Sequence, residues 1–245
     1  MLPVTGEKLL NQLVEKLRKV YGDRLVAVVL YGSAAAGDHQ AKFSDYNILC
    51  ILTEVTPLEL ACGEEIFRWW RGQGSPSPLL LSEREVAGST DSFPIEFRDI
   101  RSQHRLLFGK DVITALTMDD RFYRALVEHE LRAKLLRLRQ KAAGMLSDRD
   151  LLRRLLADSI STFCVLFRHA LILHGDPGPA TKREVIARAR ERFGIDTHPF
   201  ERLLDLREER IKPRELDGAN LLASYMKGIS TVIEAVDSKR LGVDT

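Results

Sequence analysis

Cysteine is scarce in this chain: there are three in 245 residues, Cys50, Cys62 and Cys164, all among apolar neighbours and none in a Cys-x-x-Cys spacing. That scarcity argues against a disulfide framework and against a structural zinc site, and a reducing compartment is the simpler reading. Charge of one sign is missing too. The 37 Lys and Arg stand against 35 Asp and Glu, a formal charge of +2, so the chain lacks the basic excess that neutralising many nucleic-acid phosphates requires. No DNA partner is expected. The first residues, Met-Leu-Pro-Val-Thr-Gly-Glu-Lys, have neither the basic start nor the apolar run of a signal peptide, and the most apolar later stretches are broken by charges such as Arg168. A cytoplasmic protein with no membrane partner is the expectation.

What is present is an ordinary globular balance, 44% hydrophobic and 29% charged, over a length that suits one large domain or two smaller ones. From Thr5 to Tyr21, leucines and Val20 recur at helical spacing, with Thr5 as expected N-cap and Gly22 as stop. Leu25 to Tyr31 and Tyr46 to Leu52 are continuous apolar runs of strand length and predict strands buried on at least one face. A helix is expected after Pro57 up to the loop of residues 72–78, and short strands at Leu79 to Leu81 and Phe93 to Phe97. From about residue 119 the period is helical almost throughout, with breaks near Gly144, at residues 175–179 and around 194–199. The chain therefore reads as α+β: a mixed sheet with flanking helices over residues 1–115, an all-α bundle over 116–238 and a tail at 239–245. No internal repeat is evident.

The stretch richest in chemistry runs Leu30-Tyr-Gly-Ser-Ala-Ala-Ala-Gly-Asp-His-Gln-Ala-Lys-Phe-Ser-Asp-Tyr-Asn-Ile-Leu-Cys-Ile-Leu52: a strand, a Gly-Ser turn, a loop, then a carboxylate entering a second strand. Gly32 lets the backbone approach a phosphate closely, and the Ser33 hydroxyl with nearby N–H groups can donate to phosphate oxygens. Strand alternation puts Asp45 and Asn47 on one face and Tyr46, Ile48 and Cys50 on the other.

This pattern resembles the nucleotidyltransferase superfamily that includes DNA polymerase β and the kanamycin-type nucleotidyltransferases, whose signature is Gly-Ser followed by Asp-x-Asp or Asp-x-Glu on a strand, with a further acid on a neighbouring strand. The resemblance implies a nucleotidyltransferase fold at the N-terminus and, with lower specificity, a C-terminal helical domain of the kind attached to those enzymes. It implies one or two Mg²⁺ ions held by Asp45, Asn47 and Glu96, an NTP bound by Gly32, Ser33, Lys42 and Lys182, and transfer of a nucleoside monophosphate, AMP, to a hydroxyl of a small molecule or protein. Asp45 and Glu96 would be the catalytic pair, and a homodimer is left open. The sequence departs from the family at Asn47, where the second acid of the pair is an amide that brings no charge to the metal, and in the absence of the family's frequent Arg after the small residues. Two alternatives follow: a non-catalytic nucleotide-binding or protein-interaction module, and a HEPN-type ribonuclease centred on Arg168 and His174.

Several conspicuous residues read as structure. Trp69-Trp70 at a helix end suits core packing, since no basic and aromatic alternation accompanies it. Lys134, Arg137, Arg139 and Lys141 beside Glu128 and Glu130 read as a solvated face. Thr181 and Glu184 form the ends of an expected capping box, and His39 suits a surface loop.

Overall fold

The computed structural model describes residues 4–32, 34–35 and 46–239. The chain divides into two compact units, Met1–Arg121 and Phe122–Thr245. In the first, helix α1 (Val4–Tyr21) leads through a 3₁₀ turn into strand β1 (Leu25–Tyr31), followed by β2 (Asn47–Leu52), α2 (Pro57–Gly72), β3 (Leu79–Ser82), α3 (Glu83–Gly88), α4 (Pro94–Ser102) and β4 (His104–Gly109). The four-stranded sheet has the order β3-β2-β1-β4. β1 lies antiparallel to both β2 and β4, while β3 runs parallel to β2, so the sheet is mixed as expected.

The continuous apolar runs of β1 and β2 are explained by burial on both faces. Val28, Leu30, Ile48, Cys50 and Leu52 meet Leu10, Leu13, Leu17 and Tyr21 of α1 and Ile66 and Trp70 of α2. Ala27, Val29, Leu49 and Ile51 meet Val86 of α3, Phe97 and Ile100 of α4, and Ile113. The alternation expected for β2 holds: Tyr46, Ile48 and Cys50 share the α1/α2 side. Trp70 is fully buried, in keeping with a core role. Glu59 is the one deeply buried acid of this unit among the described residues, and it is well served: Thr56 donates to it from backbone and hydroxyl, closing the capping box of α2, and Arg24 pairs with it at 2.6 Å.

Two local expectations fail. The helix α1 begins at Val4, so Thr5 stands inside it rather than at its cap. Phe93 to Phe97 is not a strand but the start of α4, with Pro94 in the first helical turn. The apolar residues at 93, 95 and 97 imitate strand alternation, yet Phe93 is 55% exposed and the buried set continues to Ile100, which only a helical period accommodates. Strand β4 escapes the sequence reading because it lies at an edge of the sheet, is only partly buried and shows no clean alternation.

The second unit consists of α5 (Tyr123–Ala143), α6 (Arg149–Leu173), α7 (Lys182–Phe193), α8 (His198–Arg207) and α9 (Gly218–Ser238). α6 packs against each of the other four. Its Phe163 and Phe167 join Phe200 and Tyr225 in an aromatic cluster with centroid separations from 4.9 to 6.4 Å, and the Tyr225 hydroxyl meets Ser159 Oγ at 2.9 Å. α6 is also the one helix among the described residues long and apolar enough to cross a membrane. Its apolar stripe, including Leu156, Ile160 and Leu171, is buried in the bundle. The helix ends fall near Gly144, after Leu173 and at Gly194, as the breakers dictate.

Candidate functional site

Three strand ends meet at one edge of the first unit. β1 finishes at Tyr31, which pairs with Asn47, the first residue of β2, and with His104, the first residue of β4. Gly32 follows with φ of +78°, a conformation that a side chain disfavours. Its N–H donates to the carbonyl of Gln103 at 3.0 Å, and its own carbonyl accepts from Ala35 N–H at 2.9 Å, so the chain turns sharply here. The side-chain nitrogen of Asn47 lies 3.3 Å from where a Gly32 Cβ would be built. An amide thus stands directly over a bare stretch of backbone, and only glycine leaves that space open.

Asn47 shares the α3/α4 side of the sheet with Tyr31, Leu49 and Ile51. Glu96, in the first turn of α4, is exposed beside buried Ile95 and Phe97. Tyr31 is held above its usual phenol pKa mainly by burial, and the neighbouring Glu96 carboxylate adds to the shift. So Glu96 stands on a helix on the α3/α4 side of the sheet, not on the strand expected. The sequence reading missed His104 and Asp111. One His104 ring nitrogen faces the Arg101 carbonyl at 3.2 Å and the other faces an Asp111 carboxylate oxygen at 3.4 Å. No sequence signal links them, because only the pairing of β4 with β1 brings His104 to Tyr31.

Asp111 ties down the segment after β4. It accepts from Ile113 N–H, Thr114 N–H and the Thr114 hydroxyl at 3.0, 3.1 and 2.7 Å. The Thr114 hydroxyl, ahead of the other hydrogen bonds, lowers its carboxyl from 3.8 to about 2. Because the folded value is depressed, this contribution is complete above the unfolded value and is lost as pH falls from about 4 to about 2. Asp111→Ala is expected to reduce stability by about 1–2 kcal/mol at neutral pH. In urea titrations of both proteins the gap should narrow through that acid window, and a gap that persists unchanged at pH 2 would refute the assignment.

Of the residues singled out in the sequence, the structure brings Gly32 and Asn47 together, with Glu96 on α4 on the same side of the sheet. Ser33, Lys42 and Asp45 lie outside the described residues, as do Asp38 and His39. Lys182 is exposed in the first turn of α7 in the second unit, behind the Thr181–Glu184 capping box, while its neighbour Arg183 is committed to Asp205 and Glu208. His174 closes α6, with Nδ1 2.8 Å from the Ala170 carbonyl and its ring edge-on to Phe193. Cys50 and Cys164 are buried thiols raised to about 12 by desolvation, which keeps them unreactive. Among the described residues no group of three His, Cys, Asp or Glu side chains is placed to hold a metal.

No protein-family model matches the chain, and no curated protein matches its sequence. Solved structures do. The spectinomycin adenyltransferase AAD(9) of Enterococcus faecialis, solved with ATP and spectinomycin, aligns over 93% of this chain and 99% of its own at a TM-score of 0.56 and 13% identity. Two structures of a toxin–antitoxin system align over smaller parts. A mutant of the MntA-HpeT pair covers 42% of this chain and 74% of its own at a TM-score of 0.30 and 17% identity. A complex with AMP-PNP covers 41% and 73% at 0.29 and 19%. Identity at this level speaks to fold alone. With its mixed sheet, helices on both faces and a helical C-terminal region, this chain shares its fold with that spectinomycin adenyltransferase.

Proposed function

We propose that this protein transfers a nucleoside monophosphate, AMP, from an NTP to a hydroxyl of a small molecule or protein, releasing pyrophosphate. The observation that carries the reading is the placement of the Asn47 amide over the Gly32 turn, 3.3 Å from the missing Cβ, with Glu96 on the same side of the sheet. The likeness in fold to an adenyltransferase solved with ATP supports it.

In this reading Gly32 and Ser33 bind the triphosphate through backbone N–H groups and a hydroxyl, and Lys42 neutralises phosphate charge. Asn47 and Glu96 offer an amide and a carboxylate on one side of the sheet, a donor set that suits a hard, oxygen-seeking cation, and Asp45 precedes them in sequence. Mg²⁺ held by Asp45, Asn47 and Glu96 would neutralise the triphosphate. Glu96 takes the proton of the acceptor hydroxyl as its oxygen bonds to the α-phosphorus and the bond to pyrophosphate breaks. A cytoplasmic location fits this NTP supply.

Asn47 favours a second reading, a nucleotide-binding module that has lost turnover. Calorimetric titration of the full chain with each of the four Mg·NTPs tests both. Binding with a Kd between about 1 μM and 1 mM, abolished by EDTA, is expected for ATP. No binding of any nucleotide overturns both readings and leaves the chain a protein-interaction module.

A further inference from the structure

Gly32, at φ of +78°, has more backbone freedom than any other residue type would, so the direction of its peptide groups has to be set by its surroundings. Its carbonyl accepts from Ala35 N–H at 2.9 Å inside the same turn. Among the described residues, the bond that ties the turn to another element is the one from Gly32 N–H to the Gln103 carbonyl, at 3.0 Å. The pairing of β1 with β2 and β4 stops at Tyr31, opposite Asn47 and His104, so Gly32 and Gln103 both lie one residue beyond the ladder. The sheet alone does not fix the bond between them. The Gln103 carbonyl belongs to the planar peptide unit that ends at the His104 nitrogen, and its direction therefore depends on how residue 104 is held.

His104 is held from two directions. Its side chain is 14% exposed, with Nδ1 3.2 Å from the Arg101 carbonyl and Nε2 3.4 Å from an Asp111 carboxylate oxygen. Both acceptors are anchored in turn: the Arg101 guanidinium donates to the Leu116 carbonyl at 3.0 Å, and Asp111 accepts from Ile113 and Thr114. Gln103 itself donates its N–H to the Asp99 carbonyl at 3.0 Å. A neutral imidazole carries one N–H and serves one of its two acceptors, whereas an imidazolium serves both. A residue that merely filled space at the start of an edge strand would need no such pair of bonds. We propose that His104 is a positioning residue for the Gly32 turn: by bracing the corner between α4 and β4 from Arg101 to Asp111, it keeps the Gln103 carbonyl on the Gly32 N–H and holds the turn in the shape that receives nucleotide phosphates. The last step rests on the nucleotide reading above, and the brace itself does not.

Glycine-selective isotope labelling of the full chain lets NMR follow hydrogen exchange at the Gly32 amide, and calorimetry with Mg·ATP reads the consequence for binding. His104→Leu, which fills the space without a donor, is expected to speed Gly32 exchange by about tenfold and to weaken Mg·ATP binding by about tenfold, both measured where the protein is fully folded. His104→Asn places a side-chain N–H near the position of Nδ1, can still donate to the Arg101 carbonyl, and should stay within about threefold of wild type in both. A role in global stability alone would move neither reading of the folded protein. Gly32 exchange indifferent to His104→Leu overturns the proposal, whatever the wild type binds. Faster exchange in His104→Leu with Mg·ATP affinity equal to that of a wild type that binds overturns the link from turn to ligand. A wild type that binds no nucleotide, with Gly32 still loosened in His104→Leu, upholds the brace and removes the nucleotide reading alone.

Discussion

Asp45→Ala is expected to lower nucleotidyl transfer by about a thousandfold, and Asn47→Asp to raise it by about tenfold. Removing a full charge about 4 Å from a cation at an effective dielectric of 20 forfeits about 4 kcal/mol, which converts to roughly three orders of magnitude in rate. The gain at Asn47 is smaller, because a new carboxylate attracts the metal but repels Asp45 and Glu96, and about 1–2 kcal/mol survives. The position tolerates the change: Asn47 opens β2, is only half-buried, and its amide occupies space that Gly32 leaves vacant. Single-turnover assays with radiolabelled ATP and an acceptor screen, run with both variants and the wild type, measure the effects. An undiminished Asp45→Ala rate would remove the metal assignment. A wild type that turns over well and gains nothing from Asn47→Asp would remove the idea of a weakened site. Turnover that appears only in Asn47→Asp would establish the second reading, a module that binds nucleotide and has lost its chemistry.

How far such a site can be read from sequence depends on whether its parts are local. The Gly32 turn and Asn47 are joined by one strand-loop-strand unit, so apolar runs of strand length and the alternation within β2 suffice to place them. Glu96 shows the limit. Its flanking residues Ile95 and Phe97 are buried in either a strand or a helix, and a five-residue window cannot separate period 2 from period 3.6. Pro94 at the helix start was the decisive signal, since it presets the backbone for a first helical turn. His104 and Asp111 were not legible at all. The position of His104 beside Tyr31, and so of Asp111 against His104, comes from long-range pairing of an edge strand whose sequence, His-Arg-Leu-Leu-Phe-Gly, carries no alternation. The helical unit was easier because each of its helices is long enough to show several turns of its period, and its breaks carry Gly or Pro.

Gly109→Ala is expected to destabilise the first unit by at least about 4 kcal/mol, enough to unfold it at room temperature if its stability lies at the low end for a small domain. Gly109 ends β4 with φ of +83°, opposite Ala27 of the central strand β1. A Cβ there would lie 2.0 Å from the Val26 carbonyl oxygen and 2.9 Å from its carbon, both backbone atoms. No rotamer can relieve a clash with backbone, so β4 must separate from β1, and with it the pairing that holds Gln103 against Gly32. Gly194→Ala separates the two contributions to that cost. Gly194 caps α7 with φ of +69° and has nothing within 4 Å of its would-be Cβ, so only the left-handed backbone is penalised, by about 1 kcal/mol. Both tryptophans of the chain, Trp69 and Trp70, lie in the first unit, so their fluorescence in urea follows that unit alone, while circular dichroism is dominated by helices of both units. Gly109→Ala should shift the fluorescence transition strongly and leave a helical transition behind. A fluorescence midpoint within about 1 kcal/mol of wild type would show that β4 is not held to β1 through this close approach.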